Sequence, residues 1–195
     1  MNFKIILPLV LAGALAACGG DTGETKKTDK GDQADLSFDK NPYPSTYAPY
    51  PSARVLLQNA TVLDGIGNRI DNGDVLIVDG RVSAIGTDLK PGEDVTAIDM
   101  AGKWITPGII DIHSHLGVYP SPSVSSLSDG NEITGPVTPE VWAEHSVWPQ
   151  DPGFGRALAG GVTSMQILPG SANLFGGRGV TVKNVPGRTI QDMKF

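Results

Sequence analysis

The sequence predicts an α/β protein, on three observations. Short β segments crowd residues 53–107, and the apolar strand Ile109-Ile110-Asp111-Ile112 follows a Pro107-Gly108 break. A second strand of that kind, Val162-Thr163-Ser164-Met165-Gln166-Ile167-Leu168, comes after a long excursion with helical signals, which makes one strand-helix-strand unit. With 25 Gly and 15 Pro in 195 residues, the chain favours turns and short strands over the long helices of a bundle.

The amino terminus reads as export. Lys4 precedes the run Ile5-Ile6-Leu7-Pro8-Leu9-Val10-Leu11-Ala12, which is too short for a membrane anchor, and the segment ends Leu15-Ala16-Ala17-Cys18. That ending resembles the lipobox of bacterial lipoproteins, which implies a signal peptide over 1–17 and lipid on Cys18. The alternative is an ordinary cleaved signal that leaves a free thiol. Cys18 is the single cysteine, so neither an intrachain disulfide nor a thiolate metal cluster can form. Gly19 after the cysteine implies, by resemblance to Gram-negative sorting, an outer-membrane protein facing the periplasm. Residues 19–40 carry too few apolar side chains to offset chain entropy, so 18–52 is expected to be a lipid-anchored flexible tether. Its Pro/Tyr part, 41–51, should be extended and able to lie across a domain surface.

Order is expected from about Ala53. Arg54-Val55-Leu56-Leu57-Gln58 and Ala60-Thr61-Val62-Leu63-Asp64 read as two β segments, with a turn at Gly65-Ile66-Gly67-Asn68. Asp79-Gly80 between Asp74-Val75-Leu76-Ile77-Val78 and Arg81-Val82-Ser83-Ala84-Ile85 predicts a type I′ hairpin, because both central residues must take positive φ. Asp94-Val95-Thr96-Ala97-Ile98-Asp99 adds a strand before Trp104-Ile105-Thr106. Residues 53–107 are thus expected to form part of a small antiparallel β domain. Beyond the 109–115 strand, Thr138-Pro139-Glu140 carries an N-cap, a proline at N1 and an acid in the first turn, predicting a helix to about Val147. Asp151-Pro152 predicts another helix, ending at Gly160-Gly161.

His113 and His115 lie two apart on a strand and therefore project from one face, where two neutral imidazoles can converge on an ion such as zinc. The alternative is a pair of packed or hydrogen-bonded histidines at a strand end. The segment Gly102-Lys103-Trp104-Ile105-Thr106-Pro107-Gly108-Ile109-Ile110-Asp111-Ile112-His113-Ser114-His115 resembles the entry segment of the amidohydrolase superfamily, G-K-x-x-x-P-G-x-x-D-x-H-x-H. Gly161-Val162-Thr163 is similar to that superfamily's G-V-T at the second barrel strand. The likeness covers about Arg54 to Lys183 and is nearest to the imidazolonepropionase-like branch.

The resemblance implies the start of a (β/α)8 TIM-type barrel over 108–195, preceded by part of a small β-sandwich domain over 53–107. It implies His113 and His115 as metal ligands, one or two divalent ions with zinc favoured, and a small-molecule amide-type substrate. Asp111 shares the histidine face and could orient a ligand imidazole, or serve as a buried structural carboxylate. Arg178, in the glycine-rich 173–179 segment, could meet a substrate carboxylate, or lie on a solvated loop. His145 reads as a surface or packing histidine, and Gln166 as barrel filling. The superfamily's carboxylated lysine or glutamate, later histidines and final aspartate find no counterpart up to Phe195, so an incomplete, inactive barrel with an open strand edge is expected of this stretch alone.

The function implied is metal-assisted hydrolysis of C–N bonds, in cyclic or non-peptide amides or in small peptides. The competing expectation is a non-catalytic, lipid-anchored envelope binding protein with a degenerate barrel. A formal charge of -6 without a separate Lys/Arg cluster argues against a nucleic-acid partner. Oligomeric state is not legible.

Overall fold

A computed structural model describes residues 39–127 and 130–195. The signal segment, Cys18 and most of the tether lie outside the described residues. The described chain falls almost wholly within one compact unit, Asn41–Phe195, built on two sheets.

The first sheet holds β1 (Val55–Leu63), β2 (Arg69–Val78), β3 (Arg81–Gly86), β4 (Thr96–Asp99) and β5 (Trp104–Ile105). The two β segments expected around Asn59 are one strand. Asn59 takes a left-handed φ of 64° at a break in the β1/β2 register, and its N–H is held by the buried Asp74 carboxylate at 3.0 Å. The Asp79-Gly80 hairpin forms as expected, with φ of 50° and 72°. The sheet is mixed and not purely antiparallel, which corrects the expectation for 53–107. β4 and β5 run parallel to β1 along one edge, on either side of its bulge. The reason is the 87–95 excursion, which carries the chain from the β3 edge across to the far side of β1 before β4 begins.

The second sheet has the order β6-β7-β8, with β6 (Ile109–Ser114) parallel to β7 (Val162–Ile167). Helix α1 (Pro152–Ala159) precedes β7 and is capped by Asp151, as its Asp-Pro start implies. β8 (Val180–Lys183) is antiparallel to β7 and was not foreseen. β7 is central, and its Met165 and Ile167 pack with Val180, Val182, Phe154 and Met193 in the main core. β6 forms an edge of this sheet and leaves Ile109, Ile110 and Ile112 exposed.

The helix expected over 138–147 is absent. Its amides bond elsewhere: Thr138 N–H to the Phe175 carbonyl at 2.9 Å and Ala143 N–H to the Arg178 carbonyl at 2.8 Å, leaving only a 3-10 turn at Ala143–His145. Pairing with residues 175–178 thus overrides the capping signal, as tertiary context commonly does.

Residues 41–50 lie extended against the C-terminal segment. Thr46 N–H meets the Gln191 carbonyl at 3.0 Å, the Tyr50 hydroxyl meets the Pro186 carbonyl at 2.7 Å, and Lys194 Nζ reaches the Tyr43 carbonyl at 2.8 Å. Lys194 also pairs with the buried Glu144 at 2.7 Å.

Candidate metal centre

The register of the second sheet aligns Ser114 with Ile167 and Ile167 with Val180, so His115, Leu168 and the 178–179 backbone gather at one sheet end. Ser114 is buried and its carbonyl takes the Leu168 N–H at 2.9 Å. His113 is exposed and His115 half-buried. Their ring centres are 5.2 Å apart with the planes at 85°.

That separation suits a shared ion. Two imidazole nitrogens at roughly 2.0–2.1 Å from a tetrahedral ion put the ring centres about 5 Å apart. His115 Nδ1 lies 2.9 Å from the Leu168 carbonyl oxygen. A carbonyl can only accept, so Nδ1 carries the proton, and in the neutral ring the Nε2 lone pair remains for a ligand. The residues present therefore fit two positions of a divalent site. Among the described residues, no group of three or more His, Cys, Asp or Glu side chains assembles.

Asp111 is half-buried, and its Oδ1 accepts the His113 backbone N–H at 3.1 Å. Its hold on the pair thus runs through the main chain. The loop after His115 folds tightly: Val118 and Tyr119 N–H groups return to the His115 carbonyl at 3.1 and 3.0 Å. Gly117 takes φ of 76°, and a Cβ there would meet Val147 Cγ1 at 2.7 Å, so glycine is required on both counts. Asp151, 2% exposed, accepts from Gly117 N–H and Ser121 N–H, each at 3.0 Å, while capping α1 through Gly153 N–H at 2.8 Å.

Arg178 sits at this sheet end with its guanidinium 4.6 Å from the Trp142 ring centre. Trp142 stacks on His145 at 5.9 Å, and His145 meets Tyr43 edge-on at 4.9 Å. Arg178 is exposed, so its cation keeps a face toward solvent. His145 belongs to this aromatic row, in keeping with a packing role. Gln166 is an exposed residue of β7. A cavity of about 140 Å³ behind the loop, lined by Val118, Asn131, Glu132, Val141 and Pro169, is smaller than a site that encloses a drug-sized molecule.

Sequence reasoning missed Tyr119, Asn131 and the second task of Asp151. Asp151 was legible as a helix cap, but its bonds to Gly117 and Ser121 span 34 and 30 positions and leave no local pattern.

No family model matches the chain. It is 38% identical over 119 residues to amidohydrolase tasK of Hapsidospora irregularis, covering 60% of this chain and 12% of that protein. It is 36% identical over 63 residues to the dihydroorotase of Caldicellulosiruptor saccharolyticus, covering 32% of this chain and 15% of that enzyme. The solved structure of an amidohydrolase from Thermotoga maritima MSB8 superposes with a TM-score of 0.67 at 40% identity, over 72% of this chain and 36% of that one. The chain thus spans well under two thirds of each of these proteins. The solved likeness takes in most of the described fold at an identity well above the level where fold alone is shared, and with the curated relatives it supports the amidohydrolase superfamily for the residues it covers.

Proposed function

We propose that His113 and His115 are the first two ligands of a divalent metal centre, zinc by preference, in a hydrolase that cleaves C–N bonds of small amide-type substrates. The observation that carries this reading is the paired imidazoles 5.2 Å apart, with His115 Nδ1 engaged by the Leu168 carbonyl. A bound divalent ion supplies Lewis acidity and lowers the pKa of water. The chain's own residues hold and orient: His113 and His115 present nitrogen lone pairs, and Asp111 secures the His113 amide. Arg178, with one face on Trp142, offers a guanidinium for a substrate carboxylate at the same sheet end. Two imidazoles fill two positions of a coordination sphere of at least four, so turnover needs ligands beyond this pair.

The test is metal affinity. Zn²⁺ titrated into the chain at equilibrium should bind through the pair, and His113→Ala or His115→Ala should weaken that binding at least about tenfold. Equal affinity in folded variants would remove the ligand assignment. For the amino terminus, the order of charge, apolar run and Leu15-Ala16-Ala17-Cys18 supports lipid attachment at Cys18 in a bacterial envelope, with the outer membrane as destination. Cys18→Ser should abolish labelling by a fatty-acid probe, and labelling that persists would exclude the anchor.

A further inference from the structure

Tyr119 touches His115 and the loop that follows it. Its ring stands edge-on to the His115 ring, with centres 5.6 Å apart and planes at 90°. Its backbone N–H bonds the His115 carbonyl at 3.0 Å. The hydroxyl is enclosed by main chain on two sides. A Cβ at Gly130 would lie 2.7 Å from it and a Cβ at Gly170 2.2 Å, so both positions must be bare for the ring to lie where it does.

Asn131 completes the lock. Its Nδ2 donates to the Tyr119 hydroxyl at 2.7 Å, and its Oδ1 accepts the Ala172 N–H at 3.0 Å. Gly170 N–H bonds the Gly130 carbonyl at 2.6 Å. Gly170 is two residues beyond Leu168, whose carbonyl engages His115 Nδ1. The same tyrosine therefore braces the imidazole directly and, through Asn131 and Gly170, the strand end that supplies its acceptor.

We infer that Tyr119 is a positioning residue for His115, locking the ring so that Nε2 is the atom presented to a divalent ion. The inference rests on the metal-ligand reading given above. The lock works by removing ring rotation, since an imidazole held at Nδ1 and along its edge keeps one orientation. Tyr119→Phe keeps the edge contact and loses the hydroxyl, whereas Tyr119→Leu loses both.

The experiment uses the full chain, with folding followed by circular dichroism and two readouts. Zn²⁺ affinity is measured by competition with a chromophoric chelator, well below each variant's melting point. Solvent exchange of the His115 Nδ1 proton is measured by NMR on metal-free protein. Tyr119→Leu should weaken Zn²⁺ binding by roughly 10–100-fold and speed the exchange, with Tyr119→Phe affected less. Unchanged affinity and exchange in folded Tyr119→Leu would overturn the inference. Should that variant not fold, Asn131→Ala decides: a loss of about tenfold supports the lock, and wild-type affinity overturns it. If the wild-type chain holds no Zn²⁺ that depends on His113, the metal reading fails by itself. The exchange measurement then still decides whether Tyr119 restrains His115.

Discussion

Asp151 and Gly117 are joined by a buried hydrogen bond of 3.0 Å, made by the carboxylate that also caps α1. One side chain thus starts the helix before β7 and holds the turn that follows His115. Replacing it removes a cap, at about 1 kcal/mol, and strands buried N–H groups at about 1–3 kcal/mol. Asp151→Ala should therefore lose roughly 2–4 kcal/mol in urea unfolding, and Asp151→Asn less. A loss confined to the cap value would mean that the Gly117 and Ser121 amides find other partners.

Lys194 and Glu144 form a second buried link, 2.7 Å long, with side chains 16% and 5% exposed. Glu144 Oε1 has no hydrogen-bond partner, so the pair compensates the carboxylate through one oxygen. Lys194→Met leaves that charge alone and should cost about 3–5 kcal/mol. The double variant Lys194→Met/Glu144→Gln should recover part of the loss. Equal stability of single and double variants in thermal unfolding would show that the uncompensated Glu144 charge is not the source of the loss.

What was legible in the sequence was what neighbours in the chain decide among themselves. The Asp79-Gly80 turn, the Asp151-Pro152 helix start and the shared face of His113 and His115 each follow from side chains within a few positions. What escaped depends on distant partners. The Thr138 capping signal yielded to carbonyls of Phe175 and Arg178, and β8 pairs with β7 so that Val180 and Val182 lie beside Ile167 and Met165 in the core. The parallel entry of β4 turns on where the 87–95 loop crosses. The site divides in the same way: its histidines are local in sequence, and the groups that hold them, Leu168, Tyr119 and Asp151, are mostly remote from them or silent in pattern.

Gly177 marks a close approach that no side chain can share. A Cβ there would lie 2.2 Å from the Val141 carbonyl oxygen, a main-chain atom that also accepts the Arg178 N–H. Gly177→Ala should part the 137–143 and 175–178 segments, at about 1–3 kcal/mol, and lift Arg178 from Trp142. Thermal unfolding and tryptophan fluorescence would register both effects. A variant with wild-type stability would mean that the pairing has room to shift.

Asp192 gives the carboxyl-terminal segment an acid limit. The Thr46 hydroxyl, followed by the Thr189 and Arg188 amides, holds its carboxyl below the ordinary value of 3.8. Because the folded value is lowered, the stabilisation is fully present above the ordinary value and is lost as pH falls through the lowered one. The 41–50 segment, anchored to Asp192 through Thr46 at 2.8 Å, should therefore loosen below about pH 4 and not near neutrality. Limited digestion with pepsin between pH 2 and 4 should cut the 41–50 segment more readily as pH drops. Asp192→Asn should be cut to a similar extent throughout, since it has no proton to gain. The same pH dependence in that variant would assign the acid response to another carboxylate.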